Sequence, residues 1–258
     1  MQLKHLDYPW RLAATGFCFA LLFAGGALMA LTAFPAIALV SGREAVRRQR
    51  VQYLIHLMFR FYIRMLMFLR LIDLEIENAE KLWDGTGRLV IANHPSLLDV
   101  VLLMALTPHA QCIVKKELWE NRYLGSVVRT AGYIRNDLDP EALLAASGSA
   151  MAEGNSLIVF PEGTRSQPGQ SMRLRRGFAN IATLLKTDIL LVTITCEPRT
   201  LTKGETWWTI PPVRPRFRVA VGECLDVTST LDGEYRSVAA RKLVRFIEGY
   251  YAERLGNA

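Results

Sequence analysis

The chain has 258 residues, 51% of them hydrophobic, and carries 31 Lys and Arg against 24 Asp and Glu, a net charge of +7. This length and composition exclude a disordered tail, a long coiled coil and a small disulfide scaffold, and leave ample material for a core in one or two domains. The surplus charge is local: residues 1–72 hold nine bases and two acids, whereas residues 73–258 hold 22 of each.

That partition predicts a membrane-anchoring helical region over 1–72 and an α/β body over 73–258. No charged residue occurs from Leu12 to Gly42, a run of 31 positions. As one helix it would be about 46 Å long, too long for one upright crossing and too short for two. Gly25-Gly26 and Pro35 offer places to bend or stop it. A tilted span ending near Pro35 and a bent pair dipping into one leaflet both fit. The run exceeds the apolar core of a secretory signal, so an anchor is expected rather than a cleaved leader. Arg43, Arg47, Arg48 and Arg50 follow it directly and predict a cytoplasmic flank, hence a body on the cytoplasmic face of the inner membrane. Over 51–72, helical spacing gathers Gln52, His56, Arg60, Arg64 and Arg70 within an arc of about 120°. Such a stripe suits a surface helix meeting anionic lipid phosphates, or a core helix with a solvated edge.

From residue 73 short apolar strands alternate with amphipathic helices. Strands are expected at 88–92, 110–114, 131–135, 156–160, 189–195 and 216–222, and helices at 96–106, 121–130, 139–153, 175–186 and 235–255. This alternation predicts an α/β sandwich with a largely parallel sheet. Cys18, Cys112, Cys196 and Cys224 are far apart with no paired spacing, so free thiols and no metal site are expected. Arg214, Arg216 and Arg218 share one face at period two, suited to lipid headgroups, to an acidic protein partner or to a solvated edge. Trp207-Trp208 fits an interfacial anchor or a core position. The body is neutral and has no reader motif, so no nucleic-acid partner is expected.

Chemistry belongs where strands end and helices begin. Asn93-His94-Pro95-Ser96-Leu97-Leu98-Asp99 follows the strand at 88–92. There Asp99, about one turn into the next helix, can turn back to the His94 imidazole, fix its tautomer and raise its basicity; Ser96 can also cap that helix. Phe160-Pro161-Glu162-Gly163-Thr164-Arg165-Ser166 follows the strand at 156–160, and no acid intervenes between Glu162 and Asp188, while Arg173, Arg175 and Arg176 do. A glycine turn with arginines ahead of a helix can receive an anion, or can be a solvated basic loop.

Together, NHPSLLD and FPEGTRS some 60 residues later resemble the glycerolipid acyltransferase family, whose members acylate lysophospholipids such as 1-acylglycerol-3-phosphate. Gly132-Tyr133-Ile134-Arg135-Asn136 resembles its intervening block, and the likeness spans about residues 85–200. The resemblance implies that fold, a glycerolipid-acyltransferase-like αβ sandwich. It also implies transfer of a fatty acyl group from acyl-CoA or acyl-carrier protein to the hydroxyl of a membrane lysophospholipid. His94 takes the place of the base and Asp99 that of its orienting acid. Arg135, Glu162, Gly163, Thr164 and Arg165 match acceptor-binding positions, with Lys115 (or Lys116) a further phosphate candidate. Glu162 is expected to position Arg165 or a substrate hydroxyl. A thioester is already activated, so no serine or cysteine nucleophile and no cofactor is implied. Thr193 stands where many members carry proline, a departure bearing on acceptor or chain preference. The readings set against this one are acylation of another lyso-lipid or amphiphilic alcohol, and non-catalytic binding of anionic lipid.

Overall fold

A computed structural model describes residues 7–83, 87–122, 124–167, 172–230 and 236–256. The N-terminal run forms α1 (Tyr8–Leu31) and α2 (Ala33–Val40), and the basic cluster opens α3 (Glu44–Phe68). The break falls at Thr32, whose hydroxyl bonds back to the Leu28 carbonyl at 2.7 Å, rather than at Gly25-Gly26. Pro35 is accommodated in the first turn of α2, where its missing N–H costs no helical bond. Tyr8–Val40 is one segment long and apolar enough to cross a membrane by length and composition.

α3 departs from its expected stripe. Gln52 and His56 are buried, and bond to the carbonyls of Ala131 and Met104 respectively. The exposed face instead carries Tyr53, Leu57, Phe61 and Phe68, with Arg64 among them. Two of the five residues of the polar arc are therefore turned inward because the body supplies hydrogen-bond partners there, and the outward row is largely apolar. Arg48 joins α3 to the body through an ion pair with Glu153.

The body contains β1 (Asp73–Glu77), β2 (Leu89–Ala92), α4 (Leu98–Leu106), β3 (Ala110–Val114), α5 (Lys116–Trp119), α6 (Gly125–Thr130), β4 (Ile134–Arg135), α7 (Pro140–Ala152), β5 (Ser156–Val159), α8 (Gly177–Leu185), β6 (Ile189–Glu197), β7 (Arg216–Leu225), α9 (Val227–Thr230) and α10 (Arg236–Leu255). α7 starts as its sequence demands: Asp139 accepts the N–H groups of Glu141 and Ala142, with Pro140 at the first position. The seven strands lie in the order β1-β7-β6-β2-β5-β3-β4. All neighbours are parallel except β6 and β7. The α/β sandwich is as expected, with one strand added: β1, whose DLEIE alternation is short and mostly charged. Its acids explain the arginines at and just before the start of β7, since Arg214, Arg216 and Arg218 pair with Asp73, Glu75 and Glu77. Those three arginines hold an edge strand in register and do not form a free basic face.

Two apolar layers flank the sheet. One joins α1, α3 and α4 to the sheet through Cys18, Ile55, Leu66, Leu102, Val90 and Ile194, so a single core runs across residues 72 and 73. The other packs α7, α8 and α10 against Leu89, Ile91, Leu157 and Leu191. Cys18, Cys112 and Cys196 are buried free thiols, while Cys224 is exposed. Burial pushes the Cys112 thiol up to about 12, which keeps it protonated and unreactive.

Candidate active site

Strand order decides where a site can form. From β2 the chain passes to α4 on one face and on to β3; from β5 it passes to α8 on the other face and on to β6. The chain thus leaves two adjacent parallel strands in opposite directions, opening a crevice beyond their carboxyl ends. The two sequence motifs are the loops that line it.

After β2 the ladder is prolonged by a side chain. Asn93 donates to the Ile194 carbonyl and accepts the Ile194 N–H, both at 2.7 Å, so its amide acts as an extra rung between β2 and β6. His94 follows, with its main chain tied on both sides. Its N–H donates to Glu162 Oε1 at 2.9 Å, its carbonyl accepts the Ser166 N–H at 2.7 Å, and Ser166 Oγ donates to the same Glu162 oxygen at 2.8 Å. The imidazole stacks on Phe160, with ring centroids 4.3 Å apart. From the first turn of α4, Asp99 Oδ2 reaches His94 Nδ1 at 2.9 Å and accepts the Ser96 N–H at 2.7 Å.

Asp99 is fully buried. Burial pushes its carboxyl up to about 6, against the opposing pull of the His94 hydrogen bond and charge and of the Ser96 N–H. As a carboxylate it accepts the Nδ1 proton, which leaves Nε2 with a free lone pair: the tautomer a base requires.

An open cavity of about 560 Å³ lies against this loop, walled by Asn93, Pro95, Glu162, Thr164, Arg165, Arg173 and Arg199 among others. A small apolar slot, with Tyr62, Leu66, Leu98, Leu201 and Trp207 in its wall, lies between α1, α3 and the body. Asn93 and Pro95 belong to the first wall and Leu98 to the second, so the His94–Asp99 segment forms the partition between a polar, arginine-lined space and an apolar one. The His94 side chain is 15% exposed.

The expected residues are not all brought together. Glu162, Thr164 and Arg165 wall the cavity; Gly163 supports it by its backbone, with φ +69° and the Arg175 guanidinium packed where a side chain would stand. Glu162 does not hold Arg165 as expected: its Oε1 is engaged by His94 and Ser166, while Arg165 donates to the carbonyls of Leu201 and Thr202 at 2.7 and 2.9 Å. Arg135 and Lys115 are not in the cavity wall. Arg135 lies on β4, separated from β2 by two strands and so roughly 14 Å away, where it makes a bidentate pair with Asp137 at 2.8 and 2.6 Å. Lys115 is exposed beside α5. Three contributors escaped sequence reasoning: Ser166, Phe160 and Tyr251. The buried Tyr251 hydroxyl reaches the carbonyls of Ile91 and Val192 and props β2 against β6 beneath the site. Phe160 and Ser166 had a local signal, as the two ends of the second motif; Tyr251 had none.

The tie through Glu162 has a measurable consequence. Glu162→Ala should lower kcat about 10²-fold by letting the His94 loop drift. Glu162→Gln, whose amide oxygen still accepts both bonds, should recover most of that loss in steady-state assays.

The geometry defines a class, an α/β acyltransferase domain with a buried His–Asp pair at the switch point of its sheet, and the comparisons agree. Residues 73–197 match the family model described as Acyltransferase, and this segment is a domain of that family. A 1-acyl-sn-glycerol-3-phosphate acyltransferase of Cocos nucifera is 32% identical over 198 residues, 74% of this chain and 61% of the relative. One of Helicobacter pylori is 36% identical over 100 residues, 36% of this chain and 42% of the relative. The chain thus spans about three fifths and two fifths of the length of these relatives. Its fold is that of the crystal structure of the 1-acyl-sn-glycerophosphate (LPA) acyltransferase PlsC from Thermotoga maritima, with a TM-score of 0.70, 21% identity, and coverage of 98% of this chain and 99% of that one.

Proposed function

We propose that this protein is a membrane-bound acyltransferase that moves a fatty acyl group from acyl-CoA or acyl-carrier protein to the free hydroxyl of 1-acylglycerol-3-phosphate, giving phosphatidic acid. The observation that carries the reading is the His94–Asp99 pair, 2.9 Å apart, on the partition between an arginine-lined cavity and an apolar slot. An anionic head has a place in the cavity, and the slot, of about 50 Å³, receives at most the first carbons of a greasy chain on the other side of the base. The names of the relatives from coconut and Helicobacter pylori favour lysophosphatidate over other lyso-lipids.

In this mechanism His94 Nε2 takes the proton of the acceptor hydroxyl as its oxygen attacks the thioester carbon. Asp99 stabilises the imidazolium that forms. The tetrahedral intermediate collapses by breaking the C–S bond, and the imidazolium returns the proton to the departing thiolate. Ester and free thiol are the products, and the enzyme is regenerated without a covalent acyl intermediate. Arg165, with Arg173 and Arg199 on the same wall, faces the acceptor phosphate. The apolar row of α1 and α3 lies in the membrane, so that the acceptor is acylated at headgroup level on the cytoplasmic side.

The test is a transfer assay in vesicles with acyl-CoA and acyl-carrier protein against a panel of lyso-lipids. Lysophosphatidate should give the highest kcat/KM; equal rates with uncharged acceptors would refute phosphate recognition. Arg165→Ala should raise the KM for lysophosphatidate by about tenfold to a hundredfold, with a smaller change in kcat.

A further inference from the structure

The connection between β6 and β7 supplies no group to the proton transfer just described, yet it binds to three separate places in the molecule. We propose that this segment, Thr200–Val213, is a second lipid contact, in which Trp208 sits at the boundary of headgroups and acyl chains of an anionic bilayer, alongside α1. The proposal rests on the reading of α1 as a membrane element.

Trp208 is 55% exposed and Trp207 39%. An exposed indole is poorly suited to water but well suited to a membrane interface, where its ring is greasy and its N–H stays wet. The two rings meet edge to face, with centroids 5.4 Å apart. Trp207 is partly a packing residue: it lies over Gly16, where a Cβ would come within 3.0 Å of its ring, and its centroid is 6.2 Å from that of Phe19. Arg11 fixes the segment from the same helix. It is only 3% exposed, and its guanidinium donates to the carbonyls of Pro211 and Pro212 at 2.7 and 3.0 Å. The height of Trp208 is therefore set by α1, whose neighbouring Phe17 is 59% exposed.

The charges at this segment agree with the same partner. Arg199 and Lys203 stand at and within its start against one acid, Glu205, which accepts the Thr202 N–H, while Arg214 beyond its other end is already paired with Asp73. Aromatic rings among surplus cations match an anionic lipid surface. The third attachment is to the site: Leu201 O accepts both the Leu97 N–H and an Arg165 N–H, and Thr202 O accepts from Arg165 as well. The depth of Trp208 thus sets the height of Arg165 above the bilayer, where it meets the phosphate of an acceptor that has not left the membrane.

The experiment uses the full chain in vesicles of phosphatidylcholine with one quarter phosphatidylglycerol. One variant keeps Trp208 as its only tryptophan, with Trp10, Trp83, Trp119 and Trp207 changed to Phe. A second has all five replaced by Phe and carries Phe17→Trp. Brominated lipids should quench both, Trp208 most strongly from bromines near the top of the acyl chain. Quenching at position 17 without quenching at Trp208 overturns the inference and leaves the anchor intact; quenching at neither overturns both. A single substitution, Trp208→Ser, guards against misfolding of these variants. It should raise the KM for vesicle-embedded lysophosphatidate about fivefold with kcat unchanged. It should leave a short-chain monomeric acceptor unaffected, and Trp208→Phe should restore most of the loss. Parental kinetics of Trp208→Ser on vesicles would overturn the proposal.

Discussion

His94→Ala should reduce acyl transfer to lysophosphatidate by about 10²- to 10⁴-fold, the usual contribution of a positioned general base. The loss should fall on kcat and kcat/KM alike, because the imidazole acts on the hydroxyl proton only as the C–O bond forms. Folding should survive. Asp99 is buried, and the hydrogen bond and charge of His94 are, with the Ser96 N–H, what favour its ionised form; loss of that ring raises the carboxyl further and favours its neutral form, so a buried charge need not remain inside. Vesicle association should also be unchanged, since the exposed apolar residues of α1 and α3 lie apart from this loop. Circular dichroism, sedimentation with vesicles and the transfer assay separate these outcomes. Parental turnover in this variant would dismiss the mechanism.

Asp99→Asn should lower kcat over a similar range while leaving the protein as stable as the parent or more so at neutral pH. The asparagine oxygen can stand where Asp99 Oδ2 does and accept both the Ser96 N–H and the His94 Nδ1–H, so the tautomer is kept. What is lost is the negative charge that stabilises the imidazolium as the proton moves onto Nε2. Stability should move the other way because of the sign of the Asp99 displacement. Its carboxyl is raised from the ordinary 3.8 to about 6 in the folded state. Below 3.8 folded and unfolded chains both hold the proton; between 3.8 and about 6 only the folded chain does; above about 6 both have released it. This group therefore favours folding less and less as pH rises through that window, and above it the buried charge costs roughly 3 kcal/mol. Thermal melts of parent and Asp99→Asn should diverge in favour of the variant as pH is raised from 4.5 to 7.5. In the parent, protonation of Asp99 below about pH 6 should contribute to a fall in kcat/KM, and the variant should lack that contribution.

Element positions were legible from sequence wherever a strand was buried on both faces. LVIA, SLIV and ILLVT read as strands because both flanking layers are apolar. β1 escaped because it is an edge strand whose alternate residues are acids, and its reason for existing, the arginines of β7, lies more than 135 residues away in the chain. The α3 stripe was misjudged for a related reason. Helical spacing shows which residues share a face, but only the carbonyls of Met104 and Ala131 explain why His56 and Gln52 point inward.

The site divides along the same line. The sequence alone determined its chemistry: a histidine and an aspartate one helical turn apart after a strand, a glycine–arginine loop after another, and a greasy, basic approach to them. These are local patterns, and local geometry suffices to bring His94 to Asp99. Only the tertiary structure decided that the Glu162 carboxylate fastens the His94 backbone and does not hold Arg165, that two strands stand between Arg135 and β2, and that Tyr251, from the last helix, supports the floor. Those relations depend on strand order, which places β2 beside β5 and β6 and leaves β4 at the margin. The hydrophobic pattern of each strand says which faces are buried, and says nothing of which strand is its neighbour.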